Sequence, residues 1–208
     1  MAPRNKFTRD EMIEAAVSVV REKGIDALTA KALAGELGVS TQPVFTCFHT
    51  IEEAKSEVRA AAERVYDRYV QEGLRMKIPF LGVGIQYIHF AKEEPQLYRL
   101  LFLTSNEEGY SSVMDALSHS QELVRDSLRQ IYHIDGHTAD RYFRDMWLVV
   151  HSLATLVVTG GCSYSEEEME NILTGFSISL FRAIKEIPGF ADNNYDRDTI
   201  FRELVEKE

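Results

Sequence analysis

Apolar residues recur at intervals of three and four along almost the whole chain, the spacing that gathers them on one side of an α-helix. Met12, Ala16, Val19 and Val20 form the first such stripe. Thr8-Arg9-Asp10-Glu11 opens it as a capping box, in which the hydroxyl accepts from a first-turn amide and the glutamate reaches back, and Gly24 closes it. A second helix is predicted from the cap Thr29 through Ala32, Leu33 and Leu37. It ends at Gly38, since glycine takes a left-handed conformation at little cost. Ser40 caps a third, short helix that tolerates Pro43 in its first turn and sets Val44 and Phe48 on one face. Two short helices joined by a glycine turn form the arrangement that carries a recognition helix into a DNA major groove.

The pattern continues to the end of the chain. Thr50-Ile51-Glu52-Glu53 reads as a second capping box, opening a long helix through about Arg75 with Ala54, Val58, Ala61, Val65 and Tyr69 on one face. Helices follow over 80–93, after Pro79, and from Gln96 to Leu103, after Pro95. Thr104 to Gly109 reads as a loop, and 112–132 as an amphipathic helix with Met114, Leu117, Leu123, Leu128 and Ile131. Asp135-Gly136 is read as a turn before an apolar helix over 138–159 that stops at Gly160-Gly161. Ser165-Glu166-Glu167-Glu168 is a third capping box, with first-turn acids favourable to the helix dipole. It opens a helix to about Ile187 with the stripe Met169, Ile172, Leu173, Phe176, Leu180 and Ile184, and Asp196 to Lys207 forms one more, weak helix. No alternating β-branched run bounded by turns appears. The fold class expected is all-α: a three-helix helix-turn-helix unit over 1–50 and a helical bundle over 51–208.

Composition narrows the function classes. The chain has 208 residues, 45% of them hydrophobic and 27% charged, as in a soluble globular protein. No apolar run approaches the roughly 18 residues of a membrane span, and the N-terminus has no apolar core of the kind a secretory signal needs. Two cysteines, Cys47 and Cys162, are too few for a disulfide framework and fit a reducing cytoplasm. The net charge of −10 is unevenly spread: residues 1–60 carry 8 basic and 9 acidic side chains, while the remainder holds the excess acid. Contact with DNA therefore belongs to the N-terminal part, with Arg4, Lys6 and Arg9 gathered at its start.

With these residues in view, the chain resembles the TetR family of bacterial transcription regulators. The first quarter carries the likeness: the Thr8-to-Gly24 helix, Leu28-Thr29…Leu33-Ala34…Leu37-Gly38-Val39-Ser40, and Val44-Phe45-Thr46-Cys47-Phe48. Glu94-Pro95-Gln96-Leu97-Tyr98-Arg99-Leu100-Leu101-Phe102 and Trp147-Leu148-Val149-Val150-His151-Ser152 resemble a C-terminal ligand-binding domain of part of that family, whose Trp-x-x-x-His-Gly is here Trp-x-x-x-His-Ser. The resemblance implies a homodimer on a palindromic double-stranded operator, with helices 138–159 and 165–187 forming a four-helix interface. It also implies a repressor that a small molecule in the bundle releases. Three positions depart from the family pattern. Phe45 stands where Tyr is common, Cys47 where His is, and Ile51 where Lys is, so three phosphate contacts are missing.

The candidate DNA-binding residues are Arg4, Lys6, Thr29, Lys31, Ser40, Thr41, Gln42, Phe45, Thr46, His49 and Thr50. Gln42 has the chemistry to pair with adenine, and a threonine methyl to meet a thymine methyl. Tyr66, Tyr69, Tyr87, His89, Tyr98, Phe102, Trp147 and His151 are the candidate ligand-binding residues, for an apolar or aromatic effector; Trp147 and His151 lie one helical turn apart. The dimer interface is assigned to Ala154, Val157, Val158, Ile172, Phe176 and Leu180. Ala154, Gly160-Gly161, Gly175 and Ser179 would equally suit a tight pair of helices within one chain.

No cofactor and no metal are expected. His133, Asp135 and His137 straddle a predicted turn and need not converge. Cys47 lacks a resolving partner and reads as an inert thiol. Gly82-Val83-Gly84 lacks the context of a dinucleotide site. Two alternatives stay open. One is a dimer whose DNA head has degenerated, leaving a ligand- or protein-binding module; the other, less favoured, is an enzyme on a helical bundle, for which no nucleophile–base pair is visible.

Overall fold

The computed structural model describes residues 7–104 and 113–206. They form helices α1 (Arg9–Lys23), α2 (Ala30–Glu36), α3 (Thr41–Cys47), α4 (Ile51–Leu74), α5 (Pro79–Glu93), α6 (Pro95–Tyr98), α7 (Val113–Tyr132), α8 (Gly136–Val158), α9 (Glu166–Glu186) and α10 (Arg197–Glu206). No strand occurs among the described residues. The architecture is all-α, as the hydrophobic period implies.

Local signals set most boundaries. Thr8 and Ser165 each form a complete capping box, with Glu11 and Glu168. Gly24 and Gly38 take φ of +82° and +64° at the ends of the first two helices. Four local readings need correction. Thr50 does accept from the Glu53 amide, but the Glu53 carboxylate accepts from the His49 amide instead of closing the box. Ser40 makes no side-chain capping bond. Asp135 belongs to no free turn: its carboxylate accepts from the Thr138 amide and caps α8, which starts two residues earlier than the pattern implies. The expected helix Gln96–Leu103 widens after Tyr98 into a π-turn over Arg99–Leu103.

Helices α1, α2 and α3 close on one core of Ala16, Val20, Leu28, Leu33, Val44 and Phe48, all buried. α4 leaves this head and packs along α5, and α5 packs on α8 in turn. The α4–α5 crossing is close enough that a Cβ at Gly73 would lie 2.6 Å from Val83 Cα, and one at Gly82 would run into the Gly73 carbonyl oxygen. Met114 and Ile131, read as part of the α7 stripe, are exposed. Of the α9 stripe only Met169 and Leu173 are buried; Phe176 and the neighbouring Ile178 keep 54% and 51% of their surface.

Candidate nucleic-acid interface and ligand pocket

The head presents α3 outward. Val44 and Phe48 anchor it to the core, which turns Thr41, Gln42, Phe45 and Thr46 to solvent. Phe45 is 53% exposed, a large ring with no role in packing the head. The Thr46 hydroxyl donates to the Gln42 carbonyl, which leaves its oxygen to accept and its methyl to meet a partner. Ser40, Lys31 and His49 are exposed around this face. The Thr29 and Thr50 hydroxyls are occupied as caps of α2 and α4. Arg4 and Lys6 lie outside the described residues. Ile51 and Cys47, both departures from the family pattern, pack partly buried against the core. Burial raises the Cys47 thiol above its ordinary value, opposed by the nearby Arg9.

Arg9, the remaining cation of the N-terminal cluster, is engaged within the protein. One amino group donates to the Cys47 carbonyl at 2.9 Å, and the other meets Glu53 at 2.8 Å and Glu57 at 2.6 Å. The guanidinium also lies over the Phe48 ring, 5.2 Å from its centroid. These bonds tie α1, the end of α3 and the start of α4 together. They hold the Glu53 carboxyl down at about 2, Arg9 first and His49 second. The pairing joins residues 44 apart, which no local pattern discloses.

A small apolar pocket with a cavity volume of about 30 Å³, partly open to solvent, lies between α4, α5, α8 and α9. Tyr66, Phe80, Leu81, Val83, Gly84, Tyr87, Phe143, Met146, Trp147, Val150, Leu173 and Ser177 line it, without one charged side chain. Gly84 keeps space in it, since a Cβ there would come within 3.3 Å of both Leu173 and Val150. Of the candidate ligand residues, Tyr66, Tyr87 and Trp147 line the pocket. His151 stacks on Trp147 at 4.6 Å and 9°. Tyr98 and Phe102 pack behind it, on Tyr87. Tyr69 and His89 do not join them: they border an open polar groove, where the Tyr69 hydroxyl donates to Glu93 at 2.7 Å. Phe80, Val83, Met146 and Leu173, which do line the pocket, carry no sequence signal that separates them from ordinary core.

The polar groups of this region satisfy one another. Tyr87 and Tyr98 hydroxyls lie 3.0 and 3.1 Å from His151 Nδ1, and Tyr98 also meets the Thr155 hydroxyl at 3.1 Å. Burial holds His151 below its ordinary value, so its ring is neutral at pH 7 and able to accept from a tyrosine. Burial raises the phenols of Tyr66, Tyr87 and Tyr98, which stay protonated. Tyr66 bonds Ser120, and Tyr142 bonds Ser177.

A chain of contacts runs from this cluster to the head. Tyr98 ends α6, and α6 packs on α1. Glu94, just before α6, takes both arms of a two-pronged ion pair with Arg21 of α1. The π-turn after Tyr98 offers the Leu100 carbonyl to Arg59 of α4 at 2.9 Å.

Of the expected interface residues, Ala154 is fully buried within the protomer, so it serves a close intramolecular helix contact. Val157, Val158, Ile172 and Leu180 are partly buried, and Phe176 is exposed. Leu148 and Leu156 of α8 and Ile178 of α9 add to the uncovered apolar surface. His137 pairs with Asp192 at 3.4 Å, away from any cluster with His133, and no group of three or more metal-ligating side chains occurs among the described residues. Among those residues, no helix is long and apolar enough to cross a membrane.

The profile described as "Tetracyclin repressor-like, C-terminal domain" matches residues 80–174, which span α5 to the middle of α9. The uncharacterized HTH-type transcriptional regulator YobS of Bacillus subtilis (strain 168) is 20% identical over 184 residues, covering 87% of this chain and 94% of its own length. A protein of unknown function from Rhodococcus sp. RHA1 shares the fold at a TM-score of 0.63 and 20% identity, over 88% of this chain and 98% of that one. A candidate transcriptional regulator from Pseudomonas aeruginosa PAO1 does so at 0.62 and 11% identity, over 83% and 89%.

Proposed function

We propose that this chain, which belongs to the TetR family of transcription regulators, is a cytoplasmic, ligand-responsive repressor that binds a palindromic operator as a homodimer. The observation that carries the reading is the outward face of α3. A helix held to a buried core by Val44 and Phe48 presents Thr41, Gln42, Phe45 and Thr46 together, with base-reading chemistry and no packing duty. In this account residues 1–50 are the DNA head and 51–208 the ligand-binding and dimerisation bundle.

The exposed apolar residues of α8 and α9 supply the second element. Leu148, Leu156, Phe176 and Ile178 are left uncovered in one protomer, and a two-fold partner would bury them in an isologous interface. The third element is the uncharged pocket, from which Tyr98, α6 and Arg21 lead to the head. An effector that favours one arrangement of this path lowers operator affinity to the extent that it binds the two arrangements differently.

A second reading has its own support. α3 bears no charged side chain, and Arg9 is spent on Glu53, Glu57 and the Cys47 carbonyl, so a head that no longer binds DNA also fits. An enzyme draws less support, because Tyr87, Tyr98, His151 and Thr155 satisfy one another in a largely buried cluster.

Selection of bound sequences from a random duplex pool at moderate salt separates the first two. Enrichment of a palindrome, abolished by Gln42→Ala with Thr46→Ala, is the expected result. An intact dimer by light scattering that enriches nothing favours the head without DNA-binding function.

A further inference from the structure

We infer that Phe45 is a specificity-determining residue of the head: its exposed ring seats on the C5-methyl group of a thymine in the major groove, within a half-site rich in A·T pairs. The inference rests on the reading of α3 as a recognition helix and adds which bases that helix selects.

The chemistry of the outward surface of α3 carries it. Thr41 and Phe45 form one row along the helix and Gln42 and Thr46 the next, the members of each row four residues apart, and all four are exposed. Phe45 keeps 53% of its surface, while the buried Val44 and Phe48 hold the helix to the head. The major groove presents donors and acceptors at every base pair and a single apolar group, the methyl of thymine. A phenyl ring has no hydrogen-bonding atom, so that methyl is the one base feature it can select. The neighbouring side chains agree with an A·T half-site. Gln42 has the amide that pairs with adenine N6 and N7. The Thr46 hydroxyl proton is already given to the Gln42 carbonyl, at 2.9 Å, and is withheld from the acceptors of guanine. Guanine is read most often by Arg or Lys, and α3 has neither. Arg9 is bonded to the Cys47 carbonyl, Glu53 and Glu57. Lys31 lies on α2, the helix that crosses the phosphate backbone in this motif. With so few cations free for phosphate, apolar contacts carry a larger share of the affinity. Deoxyribose is the other apolar surface open to the ring, and it is the same at every base, so sequence dependence separates the two partners.

The test uses the full-length protein and the duplex it enriches from a random pool. That duplex is synthesised with thymine and, one symmetric pair of positions at a time, with uracil, which lacks only the methyl group. Affinities are read by fluorescence anisotropy at fixed salt. At one thymine of each half-site, uracil is expected to weaken wild-type binding about fourfold per half-site, the worth of one buried methyl group. Phe45→Ala is expected to bind the thymine duplex more weakly and to bind the thymine and uracil duplexes equally at that position. Its thermal midpoint is expected to match that of the wild-type protein, because the ring is not part of the head core. A loss in Phe45→Ala that is the same on both duplexes, with the wild-type preference for thymine retained, would place the ring on deoxyribose and overturn the assignment. Wild-type affinity unaffected by uracil at every position, or an enriched half-site without thymine, would overturn it as well. These outcomes leave the recognition-helix reading standing. Enrichment of no sequence by a protein shown to be an intact dimer would overturn that reading, and this inference with it.

Discussion

Arg21 of α1 and Glu94, just before α6, form a two-pronged ion pair, with Nε 2.8 Å from one carboxylate oxygen and Nη2 2.7 Å from the other. Residues 73 positions apart are thereby joined at the entry to α6, whose last residue, Tyr98, packs on Tyr87 and His151 behind the pocket. Glu94 is half-sheltered and Arg21 more open, so the pair contributes little to overall stability, on the order of 1 kcal/mol or less. Its significance is positional. Arg21→Gln is expected to leave the thermal midpoint within a few degrees of wild type and to reduce the change in operator affinity that a pocket ligand produces. Calorimetry and DNA titrations with and without ligand check both parts. An unchanged ligand response in Arg21→Gln would remove this pair from the coupling.

The α4–α5 crossing depends on two glycines for closeness and not for backbone conformation. A methyl group at Gly82 meets the Gly73 carbonyl, and one at Gly73 meets the Val83 backbone, neither of which can rotate away. Gly73→Ala and Gly82→Ala are each expected to cost about 1–3 kcal/mol or more in urea unfolding, despite the better helix propensity of alanine. A midpoint equal to that of the wild-type protein would contradict the packing described.

The acid limb of stability has a defined source in the head. Glu53 is held at about 2 by Arg9 and His49, against an ordinary value of 4.5. A carboxylate with a lowered native value favours the folded state above its unfolded value and loses that effect as pH falls through the native one. Docking of α1 on α4 should therefore weaken progressively between about pH 4.5 and pH 2. Glu53→Gln is expected to flatten this part of the stability–pH curve, measured by thermal unfolding across that range. An unaltered slope would show that other carboxylates govern it.

His151 behaves in the same sense for a different reason. Burial lowers its proton affinity, so its neutral form favours folding above the unfolded value of about 6.5, and the effect fades as pH falls below it. Proton NMR of the His151 ring should give a midpoint below 6.5. Tyr98→Phe removes the bonds to His151 and Thr155 and should cost about 1 kcal/mol. A midpoint at or above the ordinary histidine value would contradict the buried, neutral ring.

Salt dependence tests the weak electrostatics of the head. α3 carries no charge, Arg9 is paired with Glu53 and Glu57, and Ile51 at the start of α4 is apolar. The slope of log affinity against log salt should be shallow and should steepen by about one unit in Ile51→Lys. Tight wild-type binding at physiological salt, unaffected by that substitution, would contradict this account of the missing contacts.

Much of the fold is legible in the sequence because its determinants are local. The Thr8 and Ser165 boxes, the glycine stops and the helix-turn-helix core each occupy a few consecutive residues. The readings that failed depend on distant partners. Glu53 resembles the third residue of a capping box, but its carboxylate is taken by the His49 amide and by Arg9, 44 positions away. The pocket was half legible: Tyr66, Tyr87 and Trp147 stand out as aromatic, whereas Val83, Met146 and Leu173 look like any helix core. Tyr69 and His89 share α4 and α5 with Tyr66 and Tyr87 but border a polar groove instead, a distinction that periodicity cannot supply without knowing which neighbour each face meets.

The central claim is that pocket and head are coupled in one regulator. It is tested by measuring operator affinity at fixed salt with the pocket empty and with it saturated by a small uncharged ligand selected by screening. The account predicts a loss of affinity on saturation, with the dimer intact. Equal affinities in the two states would contradict it.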